Sequence, residues 1–253
     1  MLPLKVRNVA FGQGIPKICV PMVGSDSALL REEAAMISAI DCDLAEWRVD
    51  YFEDVEDIEK VKITLREIHA ILMEKPILFT FRSVREGGQK EIDSASYFEL
   101  NKAIIATGEI DLVDVELFND EKVVREIVKE AHANDVKVVI SSHDFHKTPP
   151  KEEILKRLRR MQELGADMPK VAVMPQTAAD VLVLLDATNT MKETYADRPF
   201  ITMSMAGMGI ISRLTGEIFG SALTFGAAKK ASAPGQLNVA DLRNILNLLH
   251  ERI

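Results

Sequence analysis

The sequence predicts an α/β chain closed as a (β/α)8 TIM barrel with a short N-terminal β-hairpin, and two observations carry that expectation. The first is a rhythm that begins at Lys17: a short apolar run, a polar turn, a longer segment of helical period, then the next apolar run. The second is length, because 253 residues accommodate eight such units and leave no spare domain's worth of chain, so a single domain over 1–253 is expected. An open doubly wound sheet would more often carry a glycine-rich phosphate loop after its first strand, where this chain reads Val23-Gly24-Ser25-Asp26.

Residues 4–14 alternate apolar and polar around Asn8, the pattern of a hairpin set before the main fold as a plug or cover. Strands are expected at 18–23, 44–49, 77–82, 112–117, 137–142, 170–174, 201–205 and 222–225. Helices are expected at 28–40, 58–73, 94–107, 121–134, 151–164, 178–195, 209–219 and 239–249. Asp26 and Ser27 suit the start of the first helix, Ser94 and Ser96 that of the third, and Pro149-Pro150 leads into Lys151-Glu152-Glu153 at the fifth. Gly108 and Gly165 stand where the third and fifth helices should stop. Gly207-Met208-Gly209, after the seventh strand, can offer backbone N–H groups to an anion but is a weak dinucleotide fingerprint.

Composition narrows the function. With 47% hydrophobic and 28% charged residues the chain is ordinary for a globular protein, and its net charge of -8 argues against general affinity for nucleic acid or an anionic membrane. A local basic pocket for a small anion remains compatible, so a small-molecule partner is expected. Cys19 and Cys42 sit beside apolar positions, as packed reduced thiols do. Neither zinc-type Cys/His spacing nor a His-Glu-x-x-His helix occurs, so no metal is expected. The stretch 1–7 is too short and charged for a signal peptide, no apolar run has the length of a membrane span, and a cytoplasmic location is expected.

In a barrel, alternate strand residues point inward and the C-terminal strand ends carry the active site. By that parity Glu46 shares a face with Arg48, Thr80 with Arg82, Asp114 with Glu116, and Ser141 with His143. The seventh strand leaves two choices open, Thr202 with Ser204 or Met203 with Met205. Lys170 heads the run Lys170-Val171-Ala172-Val173-Met174, which is otherwise apolar on both faces. Such a lysine either snorkels to solvent at the strand end or points into a pocket, where desolvation favours a neutral amine able to form Schiff bases.

Any one of these residues fits an ordinary buried ion pair or a solvated strand tip. Together, in one barrel mouth, they would cost several kcal/mol per unpaired ion unless they pair around a polar ligand. The set holds a nucleophile (Lys170), an acid/base (His143), carboxylates to orient it (Glu86, Asp114) and arginines suited to a carboxylate (Arg48, Arg82, Arg213). The other histidines are weaker candidates: His69, His132 and His250 lie on predicted helices facing solvent, and His146 lies in the turn before Pro149. Lys229 and Lys230 fall in a polar connection and are expected to be solvated.

At Asp114-Val115-Glu116-Leu117 and Val138-Val139-Ile140-Ser141-Ser142-His143-Asp144-Phe145-His146 the chain resembles the type I 3-dehydroquinate dehydratases. The resemblance extends through Leu44-Ala45-Glu46-Trp47-Arg48-Val49-Asp50, Phe79-Thr80-Phe81-Arg82-Ser83 with Glu86-Gly87-Gly88, the Lys170 run, Ile211-Ser212-Arg213-Leu214 and Ala231-Ser232-Ala233-Pro234-Gly235-Gln236. It implies an α/β barrel, usually a homodimer, that converts 3-dehydroquinate to 3-dehydroshikimate and water in aromatic biosynthesis without a cofactor. Position by position it implies that Lys170 forms the Schiff base and that His143 is the acid/base with Glu86 beside it. Glu46, Arg48, Arg82, Arg213, Ser232 and Gln236 would hold the substrate's carboxylate and hydroxyls, and Met203 and Met205 would line the ring. Two positions depart from the family pattern: Ser142 replaces an asparagine, and Pro21 stands where serine is common. A class I aldolase and a barrel that binds a metabolite without turnover are the alternatives.

Overall fold

Burial on both faces makes the apolar runs strands, and burial on one face makes the helical-period segments a covering layer. The computed structural model describes residues 2–228 and 233–253. In chain order its elements are β1 (Leu4–Val6), β2 (Val9–Phe11), β3 (Lys17–Met22), α1 (Ser27–Ala39), β4 (Leu44–Arg48), α2 (Ile58–Leu72) and β5 (Ile77–Thr80). There follow α3 (Ser94–Ile105), β6 (Leu112–Glu116), α4 (Glu121–Ala133), β7 (Lys137–Asp144), α5 (Lys151–Glu163), β8 (Met168–Val173) and α6 (Ala178–Thr190). The chain ends with β9 (Ile201–Ser204), α7 (Ile210–Leu214), α8 (Gly216–Phe219), β10 (Leu223–Ala227), β11 (Leu237–Asn238) and α9 (Val239–His250). No helix among the described residues is long and apolar enough to cross a membrane.

The strands β3 to β10 form the barrel, each parallel to the next, with β10 returning to pair β3. The seam between β9 and β10 closes through a single bridge, Phe200 with Ser221, and through the Thr202 N–H, which donates to Ser221 Oγ at 3.0 Å. The short strand β11 adds outside this circle, in register with Gly226 and Ala227. Inside, Leu44, Leu78, Leu112, Val139, Met168 and Ile201 form an apolar lower layer, and Val6 and Phe11 of the β1–β2 hairpin are buried against it. The expected plug is therefore present.

Three aspartates staple the lower rim. Asp43, Asp111 and Asp167, each just before a barrel strand, accept the N–H of Ile18, Ile77 and Val138 at 2.7, 2.9 and 2.8 Å. Each carboxylate is also met by a cationic or titratable side chain: Arg243 at 2.7 Å, Arg7 at 2.5 Å and His132 at 2.8 Å. Arg7 comes from the hairpin turn, so the plug is fastened to the barrel by charge as well as by packing.

Element existence agrees with the sequence expectation, and several boundaries differ. Strand β7 continues to Asp144, so His143 lies within it, and β8 begins at Met168, which makes Lys170 its third residue and not its first. The third helix is capped by Asp93, whose carboxylate accepts the N–H groups of Ala95 and Ser96, not by the serines. The helix expected over 178–195 passes into a π turn at Met191–Tyr195. The helix expected over 209–219 is broken at Thr215 into α7 and α8, and Gly216 opens α8 so close to the wall that a Cβ there would lie 2.6 Å from the Ser221 carbonyl oxygen. Lys229, Lys230 and Ser232 lie outside the described residues.

Candidate active site

The upper layer of the barrel interior is polar. Lys170 projects from the middle of β8, between Ser141 on β7 and Ile201 on β9, and is buried. Its Nζ lies 3.6 Å from Asp114 Oδ2 and 4.6 Å from the centre of the Phe225 ring. Glu46, Arg48, Arg82, Glu86, His143, Met203, Met205, Arg213 and Gln236 line the same cavity. The sequence-derived candidates within the described residues thus converge on one mouth, the C-terminal end of the barrel where such sites belong.

His143 is held by Glu86. One carboxylate oxygen, Oε2, accepts the backbone N–H of His143 at 3.0 Å and lies 2.9 Å from its Nδ1. Glu86 reaches it from a 3-10 turn, Val84–Glu86, that ends at Gly87 with φ 85°. A Cβ on Gly88 would fall 1.8 Å from the Arg82 carbonyl oxygen, so the turn demands glycine there. Burial, reinforced by the Arg82, Lys170 and Arg48 cations, holds the His143 pKa well below the ordinary histidine value. Burial also pushes Glu86 up to about 8 against the pull of Arg82. Once Glu86 ionises, above about pH 8, it accepts from Nδ1 and leaves Nε2 as a base.

Arg82 and Asp114 form the centre of a buried ionic network. Arg82 Nη2 lies 2.8 Å from Asp114 Oδ2, and Nη1 lies 3.0 Å from Glu116 Oε1 and donates to Ser141 Oγ at 3.0 Å. Burial works against both charges, but Asp114, Glu116 and Glu86 raise the Arg82 pKa, while Arg82 and Lys170 hold Asp114 below the usual carboxylate range. Arg48 points its fork at Asp50, with both contacts at 2.8 Å, and stacks on Tyr51. Glu46 accepts from Thr80 Oγ1 at 2.9 Å.

Arg213 is different. It is almost wholly buried, donates to the Pro234 carbonyl at 3.1 Å, and approaches Met203 Sδ at 3.6 Å, but its Nε has no partner among the described residues. Burial alone pulls its pKa down to about 10. A buried guanidinium without a counter-ion is a ready receptor for a carboxylate.

The parity choice on β9 is settled by packing: Met203 and Met205 face the cavity, and Thr202 faces out, its Oγ1 2.7 Å from Thr188 Oγ1 on α6. Asp114, expected among the groups that orient His143, instead meets Lys170 and Arg82. Asp50 escaped the sequence reading, although its position two residues beyond Arg48 was a usable signal. Ser142 turns outward, where its Oγ accepts from Arg157 at 3.3 Å, so the family departure there does not touch the cavity. Pro21 is buried on β3 beside Glu46 of β4. His132 and His250 are exposed and His69 is half-buried, and each faces a carboxylate. Among the described residues no cluster of His, Cys, Asp and Glu is placed to hold a metal. A larger cleft of about 760 Å³ lies between residues 55–58 and the start of α3, but its lysine, Lys90, is engaged by the Phe52 and Glu53 carbonyls and no histidine or cysteine lines it.

A carbonyl compound entering this cavity meets an amine flanked by fixed ion pairs, with a proton carrier beside it. Fold and site together define an α/β barrel whose C-terminal mouth holds a buried lysine and a carboxylate-backed histidine in one polar cavity. The type I 3-dehydroquinase family model matches residues 18–253, and the chain belongs to that family. It is 68% identical over 250 residues to the 3-dehydroquinate dehydratase of Syntrophotalea carbinolica, covering 99% of each chain. With the corresponding protein of Listeria innocua it shares 64% identity over 247 residues, covering 98% of each. Among solved structures it superposes on the type I 3-dehydroquinate dehydratase of Clostridium difficile with covalently modified comenic acid at a TM-score of 0.97, with 57% identity over 100% of this chain and 99% of that one. For the Geobacillus kaustophilus 3-dehydroquinate dehydratase the TM-score is 0.96 and the identity 42%, over 99% and 97% of the two chains.

Proposed function

We propose that this type I 3-dehydroquinase dehydrates 3-dehydroquinate to 3-dehydroshikimate in the shikimate pathway through an imine on Lys170, with His143 moving the protons. The observation that carries the reading is the burial of Lys170 in the same cavity as a histidine backed by Glu86. The covalently modified molecule in the Clostridium difficile relative is consistent with it.

The Lys170 amine adds to the C3 ketone, and loss of water leaves an iminium, a stronger electron sink than the ketone. His143 takes the C2 proton, whose electrons form the enamine. The enamine expels the C1 hydroxyl, protonated by the same histidine, so that one group serves both proton transfers. Water then hydrolyses the conjugated iminium, releasing product and the free amine. Arg213 binds the substrate carboxylate, Glu46, Arg48, Arg82 and Gln236 position its hydroxyls, and Met203 and Met205 pack on the ring. Ser232 completes this set by family resemblance. With Arg48 and Arg82 already paired to carboxylates, Arg213 offers one unpaired guanidinium among the described residues, which suits a carboxylate better than the phosphate an aldolase would need. The chain works as one domain, as a cytoplasmic homodimer.

Borohydride reduction in the presence of 3-dehydroquinate tests the reading. The adduct is expected on Lys170 by peptide mass mapping, and an adduct on Lys229 or Lys230 would overturn it. His143→Ala should still form the adduct while elimination slows by about 10²- to 10⁴-fold; unimpaired turnover would remove His143 from the chemistry.

A further inference from the structure

We infer that Asp114 is the counter-ion of the lysine nitrogen, a positioning residue that holds Nζ and receives the iminium N–H. The inference rests on Lys170 being the imine-forming residue. Asp114 is fully buried on β6, and its two oxygens are used unequally. Oδ1 accepts a 2.7 Å hydrogen bond from Ser141, which itself receives one from Arg82, so the carboxylate cannot swing. Oδ2 is paired with Arg82 Nη2 at 2.8 Å and lies 3.6 Å from Lys170 Nζ, within ion-pair range but longer than a hydrogen bond.

Imine formation changes what the nitrogen presents to Asp114. Conversion of a tetrahedral ammonium or amine into a planar iminium leaves one N–H, and that N–H bears the positive charge through which electrons are drawn. An anion fixed beside it favours the iminium without reorganising, which is the condition for electrostatic catalysis in a buried site. Arg82 keeps Asp114 ionised by its charge and its hydrogen bond, so an anion stands 3.6 Å from the lysine nitrogen.

The charged surroundings of the lysine come from several strands. Asp114 on β6 meets the amine directly, and the Phe225 ring on β10 covers it. His143 on β7 and Cys19 on β3 each feel the Lys170 charge, Arg82 lies behind Asp114 from β5, and Glu46 and Arg48 on β4 line the same cavity with Arg213 on α7. Met203 and Met205 of β9 add no charge there. Asp114 is thus the anion closest to Lys170 among the described residues.

The test uses Asp114→Asn and reads the amine directly. The pH at which Lys170 of the free enzyme is half-maximally acylated by acetic anhydride, followed by peptide mass spectrometry, should fall by about 1 unit, the lower end of what a nearby opposite charge contributes. In the same variant kcat should drop about 10- to 100-fold while KM changes only a few-fold. Asp114→Glu, which keeps the charge, should leave the acylation midpoint close to that of the parent even as turnover declines. An unchanged midpoint in Asp114→Asn, or an equal fall in Asp114→Glu, overturns the counter-ion role. Should Asp114→Asn fail to fold, Ser141→Ala takes its place: freeing Oδ1 should move the midpoint in the same direction by less, and no movement counts against the proposal. Absence of a borohydride adduct on Lys170 in the parent enzyme would instead refute the reading on which this inference rests.

Discussion

Arg213→Met should make the ligand-free protein more stable and the liganded one less so. The guanidinium is buried, its pKa is drawn well below the ordinary arginine value to about 10 by burial alone, and no carboxylate among the described residues answers it. At about 1.4 kcal/mol per unit, the folded state penalises this cation by about 3 kcal/mol. The folded value is the lower one, so below pH 10 the group is charged whether folded or not, and the penalty is present in full at neutral pH. Methionine is uncharged and of similar reach. It forfeits the bond to the Pro234 carbonyl, worth ~1.5–3 kcal/mol for a charged donor, so the net gain is about 1 kcal/mol. For a chain of this size that raises Tm by roughly 2–4 °C. Binding changes the other way, because losing a buried charged pair costs ~2–5 kcal/mol, about 30-fold or more in affinity. Thermal unfolding with and without 3-dehydroshikimate measures both effects, with kcat/KM as the third reading. A lower Tm for the free variant together with an undiminished ligand-induced rise would refute the reasoning.

Two further outcomes follow from groups on opposite sides of the barrel. Glu86 is raised from 4.5 to about 8, so the folded state binds its proton more tightly and stability is lost as pH climbs through that interval. Glu86→Gln should therefore gain stability relative to the parent between pH 5 and about 8.5, by about 1 kcal/mol or more, while turnover falls; a pH-independent difference in denaturant midpoints would contradict the burial argument. At the barrel base, Asp111→Ala strips the acceptor from the Ile77 N–H and the partner from Arg7. A loss of ~1–3 kcal/mol, or roughly 2–10 °C, is expected with kcat/KM within about twofold of the parent, and a loss of activity in folded protein would show that the plug communicates with the mouth.

The sequence by itself determined the periodic order of strands and helices, because burial on both faces of a parallel strand and on one face of a covering helix leaves a pattern in neighbouring residues. Asp26 as a cap and Gly108 and Gly165 as stops are equally local, since each acts on backbone groups within a few residues. Lys170 stood out for the same reason, a charge within an apolar run. Parity even assigned the inward faces of β4 to β7, and family resemblance assigned roles to residues that parity alone could only cluster.

Tertiary structure decided what each charge meets. On β9 the alternation reads equally well in either phase, and only the contact of Thr202 with Thr188 turns Met203 and Met205 inward. Asp114 and Glu86 were equivalent carboxylates in the sequence, yet one binds Lys170 and Arg82 while the other, carried on a turn between two glycine-demanding approaches, holds His143. The break at Thr215 and the added strand β11 likewise follow from how the chain closes the barrel, not from local propensity. Hydrogen bonds and ion pairs act over a few ångströms between residues tens of positions apart, as between Glu86 and His143, and a one-dimensional pattern carries side-chain type but not that distance. Folding is therefore what leaves Arg213 a buried cation without a carboxylate among the described residues, and so a group that can bind one.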